Sequence, residues 1–107
     1  MKEIGHWING KHVAGTSGRM ADVFNPATGE VQARVALASK AELDHAVAEA
    51  AKAQVKWAAT NPQRRARVMM RFVDLLNRDM QKLAEALSSE HGKTVPDAKG
   101  DVQRGLE

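Results

Sequence analysis

The sequence predicts an α+β chain, with strands and hairpins in the first third and helices in the rest. Three observations carry this. Asn9-Gly10 lies between two short runs of mixed polarity, His6-Trp-Ile8 and Lys11-His-Val13. Val31, Ala33, Val35 and Leu37 alternate with Gln32 and Arg34, the period of a half-buried strand. From Ser39 onward apolar residues recur every three or four positions, the period of an amphipathic helix.

Each element has a local reason. Asn and Gly tolerate positive φ, so Asn9-Gly10 suits a two-residue type I′ hairpin. Gly15 to Gly18 reads as a loop, and Met20 to Phe24 as an extended run ended by Asn25-Pro26, where proline cannot donate to a ladder. Pro26 to Gly29 is a turn, followed by the strand from Val31. Ser39-Lys-Ala-Glu42 is a capping box that opens the first helix. Leu43, Val47, Ala50, Ala51, Trp57 and Ala58 share its apolar side. Asn61-Pro62 stops that helix and starts the second, with Asn as N-cap and Pro in the first turn. The second helix is expected to be long, running to His91, with Met69, Phe72, Val73, Leu76, Met80, Leu83 and Leu87 on one face. Gly92 suits its C-cap. Thr94-Val-Pro-Asp97 opens a third helix that meets no glycine or proline stop before Glu107, and we expect it to be truncated. The expected division is 1–38 for strands and turns and 39–107 for helices, in one unit incomplete at its C-terminus.

Composition narrows the function classes. The 107 residues are 43% hydrophobic and 27% charged, which fits a folded globular chain rather than a disordered one. No apolar run approaches the ~20 residues that span a bilayer, and the N-terminus lacks a secretory h-region; a cytoplasmic setting is expected. There is no cysteine, so disulfides, thiolate metal sites and a cysteine nucleophile are excluded for these residues. His6, His12, His45 and His91 are far apart in sequence, and no metal site is expected from them.

Several constellations invite a chemical reading. Gly92-Lys93-Thr94 looks like the end of a phosphate loop, but Leu87 stands where that motif needs glycine. A helix stop followed by a new cap explains it better. Arg64, Arg67, Arg71, Arg78 and Lys82 form a basic stripe that could follow a nucleic-acid backbone. Asp74, Asp79 and Glu85 dilute it and aromatic residues are only 4%, so a solvated face is the expectation. Met69, Met70 and Met80 read as core packing, and Asp97 with Asp101 as a surface pair. Arg104 stands in Gly100-Asp-Val-Gln-Arg-Gly-Leu-Glu107. A guanidinium there could take a carboxylate through two N–H groups, beside glycines that admit close approach, although from the residues alone a surface helix arginine is the plainer account.

Trp7-Ile-Asn-Gly-Lys11 and Asn25-Pro-Ala-Thr-Gly-Glu30 together resemble the opening of the aldehyde dehydrogenase superfamily. Asn61-Pro-Gln-Arg-Arg-Ala-Arg67 is similar to the start of its long N-terminal helix. Gly92-Lys93, Asp97-Ala98 and Gly100-Asp101-Val102-x-Arg104-Gly105-x-Glu107 resemble one branch, the CoA-acylating methylmalonate-semialdehyde dehydrogenases, though Asp101 replaces the glutamate of many relatives. The resemblance implies part of an α/β cofactor domain. It also implies a longer enzyme that converts methylmalonate or malonate semialdehyde to propionyl- or acetyl-CoA and carbon dioxide, using NAD and CoA. In such enzymes a cysteine thiolate attacks the aldehyde, hydride passes to NAD and CoA resolves the thioester.

The catalytic cysteine and main cofactor loops lie downstream in that family. The resemblance therefore assigns no catalytic and no cofactor-binding residue to this chain, and predicts that it is inactive alone. Arg104 is the one residue it implicates, as a contact for the substrate carboxylate. The expected partners are the rest of the dehydrogenase chain and further copies, as a tetramer or dimer, with neither nucleic acid nor membrane. The chain alone is expected to self-associate through uncovered apolar faces. Two other readings remain open from the residues: a stand-alone helical interaction module, and a basic nucleic-acid-binding helix.

Overall fold

The computed structural model describes all residues, Met1–Glu107. The elements run β1 (Lys2–Ile4), β2 (His6–Ile8), β3 (Lys11–Val13), β4 (Met20–Phe24), β5 (Val31–Ala36), α1 (Lys40–Ala59), α2 (Pro62–Arg78), α3 (Met80–His91) and α4 (Val95–Leu106). They fall into two compact units: residues 1–24 with 31–60, and residues 25–30 with 61–107.

In the first unit, β2 and β3 pair antiparallel with Ile8 opposite Lys11. Asn9 and Gly10 turn between them at φ 55° and 77°, the positive values a type I′ turn requires. β5 is the centre of a three-stranded sheet in the order β1-β5-β4. Its pairing with β4 is antiparallel, with a register shift between Val23 and Phe24. Its pairing with β1 is parallel, Lys2 opposite Ala33. β1 carries no apolar alternation of its own, and sequence reasoning missed it. A three-residue edge strand is specified by the neighbour it joins rather than by its own pattern.

At the start of α1, Ser39 Oγ accepts from the Glu42 N–H and Glu42 accepts from the Ser39 N–H, the reciprocal pair expected of a capping box. The second Glu42 oxygen accepts from the Thr16 N–H at 3.2 Å and lies 3.2 Å from His6 Nε2. One carboxylate thereby ties together β2, the 14–19 loop and α1.

In the second unit, Asn61 caps α2 by accepting from the Gln63 N–H. The single long helix expected to His91 is broken. Asp79 leaves helical geometry at φ −100°, ψ 14°, and α3 begins at Met80. The cause is local. Asn77 and Asp79, on either side of Arg78, have lower helix preference than the Leu and Met around them. The backbone ladder is nevertheless kept on both sides, Asp79 N–H to the Leu75 carbonyl and Leu83 N–H to the Asp79 carbonyl. Asp79 also holds Arg78 through Nε and Nη2 at 3.1 and 2.9 Å. Arg64, Arg67, Arg71, Arg78 and Lys82 are all exposed, as expected of a solvated face. They do not share one helix, however: Arg78 is engaged by Asp79 and Lys82 lies beyond the break. The apolar side of α2 is largely uncovered as well. Met69 and Met70 are exposed where core packing was expected, whereas Met80, past the break, is half-buried.

Candidate carboxylate-binding site

Arg104 is placed by the turn between α3 and α4. Gly92 closes α3 at φ 90°, a left-handed conformation that glycine adopts without strain. Its N–H donates to the Ser88 carbonyl at 2.8 Å. Ser88 Oγ then donates to the Lys93 carbonyl at 2.6 Å, fixing the backbone as it leaves the helix. Thr94 restarts the helix by accepting from the Asp97 N–H. Pro96 stands in the first turn, where its missing N–H costs nothing. α3 and α4 pack on each other, and Ala84 of α3 and Ala98 of α4 are fully buried. Small side chains allow the two helices to approach closely.

That packing brings Lys93 and Asp101 together, although eight positions separate them. The Lys93 ammonium donates to Asp101 Oδ2, with the lysine side chain only 19% exposed. The other carboxylate oxygen, Oδ1, lies 3.5 Å from Arg104 Nη1. The Asp101 carboxyl is held below the usual carboxylate range. The Lys93 hydrogen bond is the main cause, and Coulombic attraction from Lys93, Arg104 and His91 adds to it against some desolvation.

The Arg104 side chain is 83% exposed. A Cβ added at Gly100 or Gly105 would meet nothing within 4 Å, so the glycines leave open space on its helix. The guanidinium has five N–H donors, and one contact to Asp101 leaves most of them free. The arrangement can present a planar cation to an anionic group, while the ionised carboxylate behind it limits where the cation points. Asp97 and Asp101 do not act as the expected solvated pair, because Asp101 is taken up by Lys93 and Arg104. Lys93 is a structural donor after a helix stop, in keeping with the cap-and-restart explanation of Gly92-Lys93-Thr94. Sequence spacing could have suggested Asp101–Arg104, an i, i+3 helical pair. It held no signal for Lys93–Asp101, which depends on the sharp turn at Gly92.

A separate concavity belongs to the first unit. It is an open groove of about 840 Å³ along α1, lined by Ala50, Ala53, Trp57 and Thr60 among others. Glu49 and Lys52 on its rim pair with each other at 3.2 Å. It offers apolar contact and no nucleophile–base pair.

The model of the aldehyde dehydrogenase family matches residues 12–107, and the chain belongs to that family. Its relatives are more particular. It is 46% identical over 106 residues to malonate-semialdehyde dehydrogenase 3 of Geobacillus kaustophilus, covering 99% of this chain and 22% of that protein. Against the malonate-semialdehyde dehydrogenase of Pseudomonas aeruginosa the identity is 44%, over 100% of this chain and 21% of the relative. Among solved structures, a Sinorhizobium meliloti protein assigned to the methylmalonate-semialdehyde dehydrogenases, in complex with NAD, superposes with a TM-score of 0.94 at 69% identity. The methylmalonate-semialdehyde dehydrogenase of Oceanimonas doudoroffii superposes at 0.95 with 42% identity. Each superposition covers 99% of this chain and 22% of the other. The chain thus spans about a fifth of the length of the curated relatives it matches.

Proposed function

We propose that the chain is the N-terminal segment of an NAD- and CoA-dependent dehydrogenase. The whole enzyme converts methylmalonate or malonate semialdehyde to propionyl- or acetyl-CoA with release of carbon dioxide. Similarity along the whole chain to enzymes of that name supports the reading. The residue-level observation that carries it is the exposed guanidinium of Arg104 on a helix with open space around Gly100 and Gly105. A semialdehyde that ends in a carboxylate needs a cation to orient it, and arginine binds carboxylates through two parallel N–H groups.

NAD accepts the hydride and CoA the acyl group in such a reaction. These residues do not fit NAD: no strand, glycine-rich turn and helix follow one another here as a dinucleotide cradle requires. We therefore derive no cofactor step from this chain and assign that chemistry to the remainder of the longer protein. The segment's own part is to hold the substrate's carboxylate end at Arg104 and to lay an outer layer against the cofactor domain. The assembled enzyme is a homo-oligomer of the cytoplasm in this reading. In the chain itself no helix is long and apolar enough to cross a membrane.

Arg104→Ala in the full-length protein tests the assignment. Loss of a charge-assisted contact should raise KM for malonate semialdehyde roughly 10- to 100-fold. Turnover of propanal, which has no carboxylate, should be unchanged. Equal loss for both aldehydes, or for neither, would refute the role of Arg104.

A further inference from the structure

We propose that Asp101, anchored by Lys93, is the positioning residue that orients the Arg104 guanidinium toward the substrate carboxylate. The inference rests on the reading of Arg104 given above and adds a specificity element that the motif alone does not contain. An exposed i, i+3 ion pair by itself contributes little to stability, so stabilisation does not account for the Arg104–Asp101 pair. Asp101 differs from a free surface carboxylate because both its oxygens are engaged, Oδ2 by Lys93 and Oδ1 by Arg104. Lys93 is in turn fixed, since the hydroxyl of Ser88 holds its carbonyl and Gly92 caps α3 just before it. Hydrogen bonds therefore run from the end of α3 to Asp101 on α4, and an ion-pair contact at 3.5 Å continues to Arg104.

Two consequences follow for an incoming carboxylate. A long, exposed arginine loses much rotamer freedom when it binds a ligand. Pairing with Asp101 removes part of that freedom beforehand and leaves the remaining N–H donors available. The charges also balance usefully. Lys93 and Arg104 against Asp101 leave one net positive charge, which matches one carboxylate. With Asp101 neutral, Arg104 would keep its charge and lose its direction.

The test is steady-state kinetics of the full-length enzyme with malonate semialdehyde and with propanal. Asp101→Asn should raise KM for the semialdehyde roughly tenfold, leave its kcat in place and leave propanal unaffected. Asp101→Glu should retain wild-type selectivity. Lys93→Met reaches the same element from the other side and should shift KM in the same direction. The double variant should be no worse than Asp101→Asn, because the two residues act through one contact chain. Should Arg104→Ala abolish selectivity while Asp101→Asn and Lys93→Met both keep it, Arg104 stands and the positioning role falls. Equal damage to both substrates by Asp101→Asn would make Asp101 merely structural and overturn the inference. Unchanged selectivity in Arg104→Ala would instead remove the reading on which it rests.

Discussion

Glu42 shows how much one side chain can organise. It completes the capping box with Ser39, accepts from the Thr16 N–H and faces His6. Its pKa is lowered from the ordinary glutamate value, chiefly by the Ser39 backbone hydrogen bond, with Thr16 and the charge of His6 adding to it. A depressed native pKa means that the unfolded chain takes up the proton first as pH falls. The carboxylate's contribution is therefore complete above the ordinary glutamate pKa and disappears as pH drops through the lower native value. Glu42→Gln keeps a cap-forming side chain but removes the charge. The Tm difference between wild type and Glu42→Gln should be largest near neutrality and shrink toward zero in acid. A gap that stayed constant across that range would contradict the account.

Helix ends were legible in the sequence because their determinants are local. Ser39, Asn61, Thr94 and Gly92 each act within about one turn, and all four cap as their residue types suggest. The Asn9-Gly10 hairpin was legible for the same reason. The interruption at Asp79 was not, because the apolar spacing runs unbroken through it from Leu76 to Met80 and Leu83. Periodicity reports which side of a helix is apolar and is insensitive to one residue leaving helical φ/ψ. Gly92 offers a test at this scale. At φ 90° a Cβ is strained, and it would also stand 3.0 Å from Pro26 Cγ. Gly92→Ala should destabilise the protein by roughly 1–2 kcal/mol, read as a lower denaturant midpoint at unchanged m-value. A midpoint equal to wild type would show that the turn relaxes freely.

The chain buries little of what a folded protein normally buries. Only Ala33, Ala84 and Ala98 are buried, while Trp7, Leu43, Val47, Val55, Met69, Met70 and Phe72 remain exposed. The accessible area is 8142 Å², whereas two compact units of half the mass each would together expose about 7,000 Å². Uncovered apolar surface on this scale favours association. The 107-residue chain by itself should sediment as dimers or larger species at micromolar concentration, with little response to added salt. A stable monomer that binds no hydrophobic dye would refute this. Binding to DNA that weakens steeply with salt would instead favour the basic-helix reading of α2.

The sequence by itself determined the α+β class, the capped helix ends, the hairpin turn and the family. All of these depend on neighbouring residues or on motifs read in order. Tertiary structure alone decided that β1 joins β5 in parallel, that the stripe from Arg64 to Lys82 is interrupted, and that Lys93 reaches Asp101 behind Arg104. Those features bring together residues distant along the chain, or depend on one residue leaving helical φ/ψ while its backbone bonds persist. Neither leaves a period or a spacing in the sequence, so they exist only once the backbone has turned at Gly92 and α4 has packed against α3.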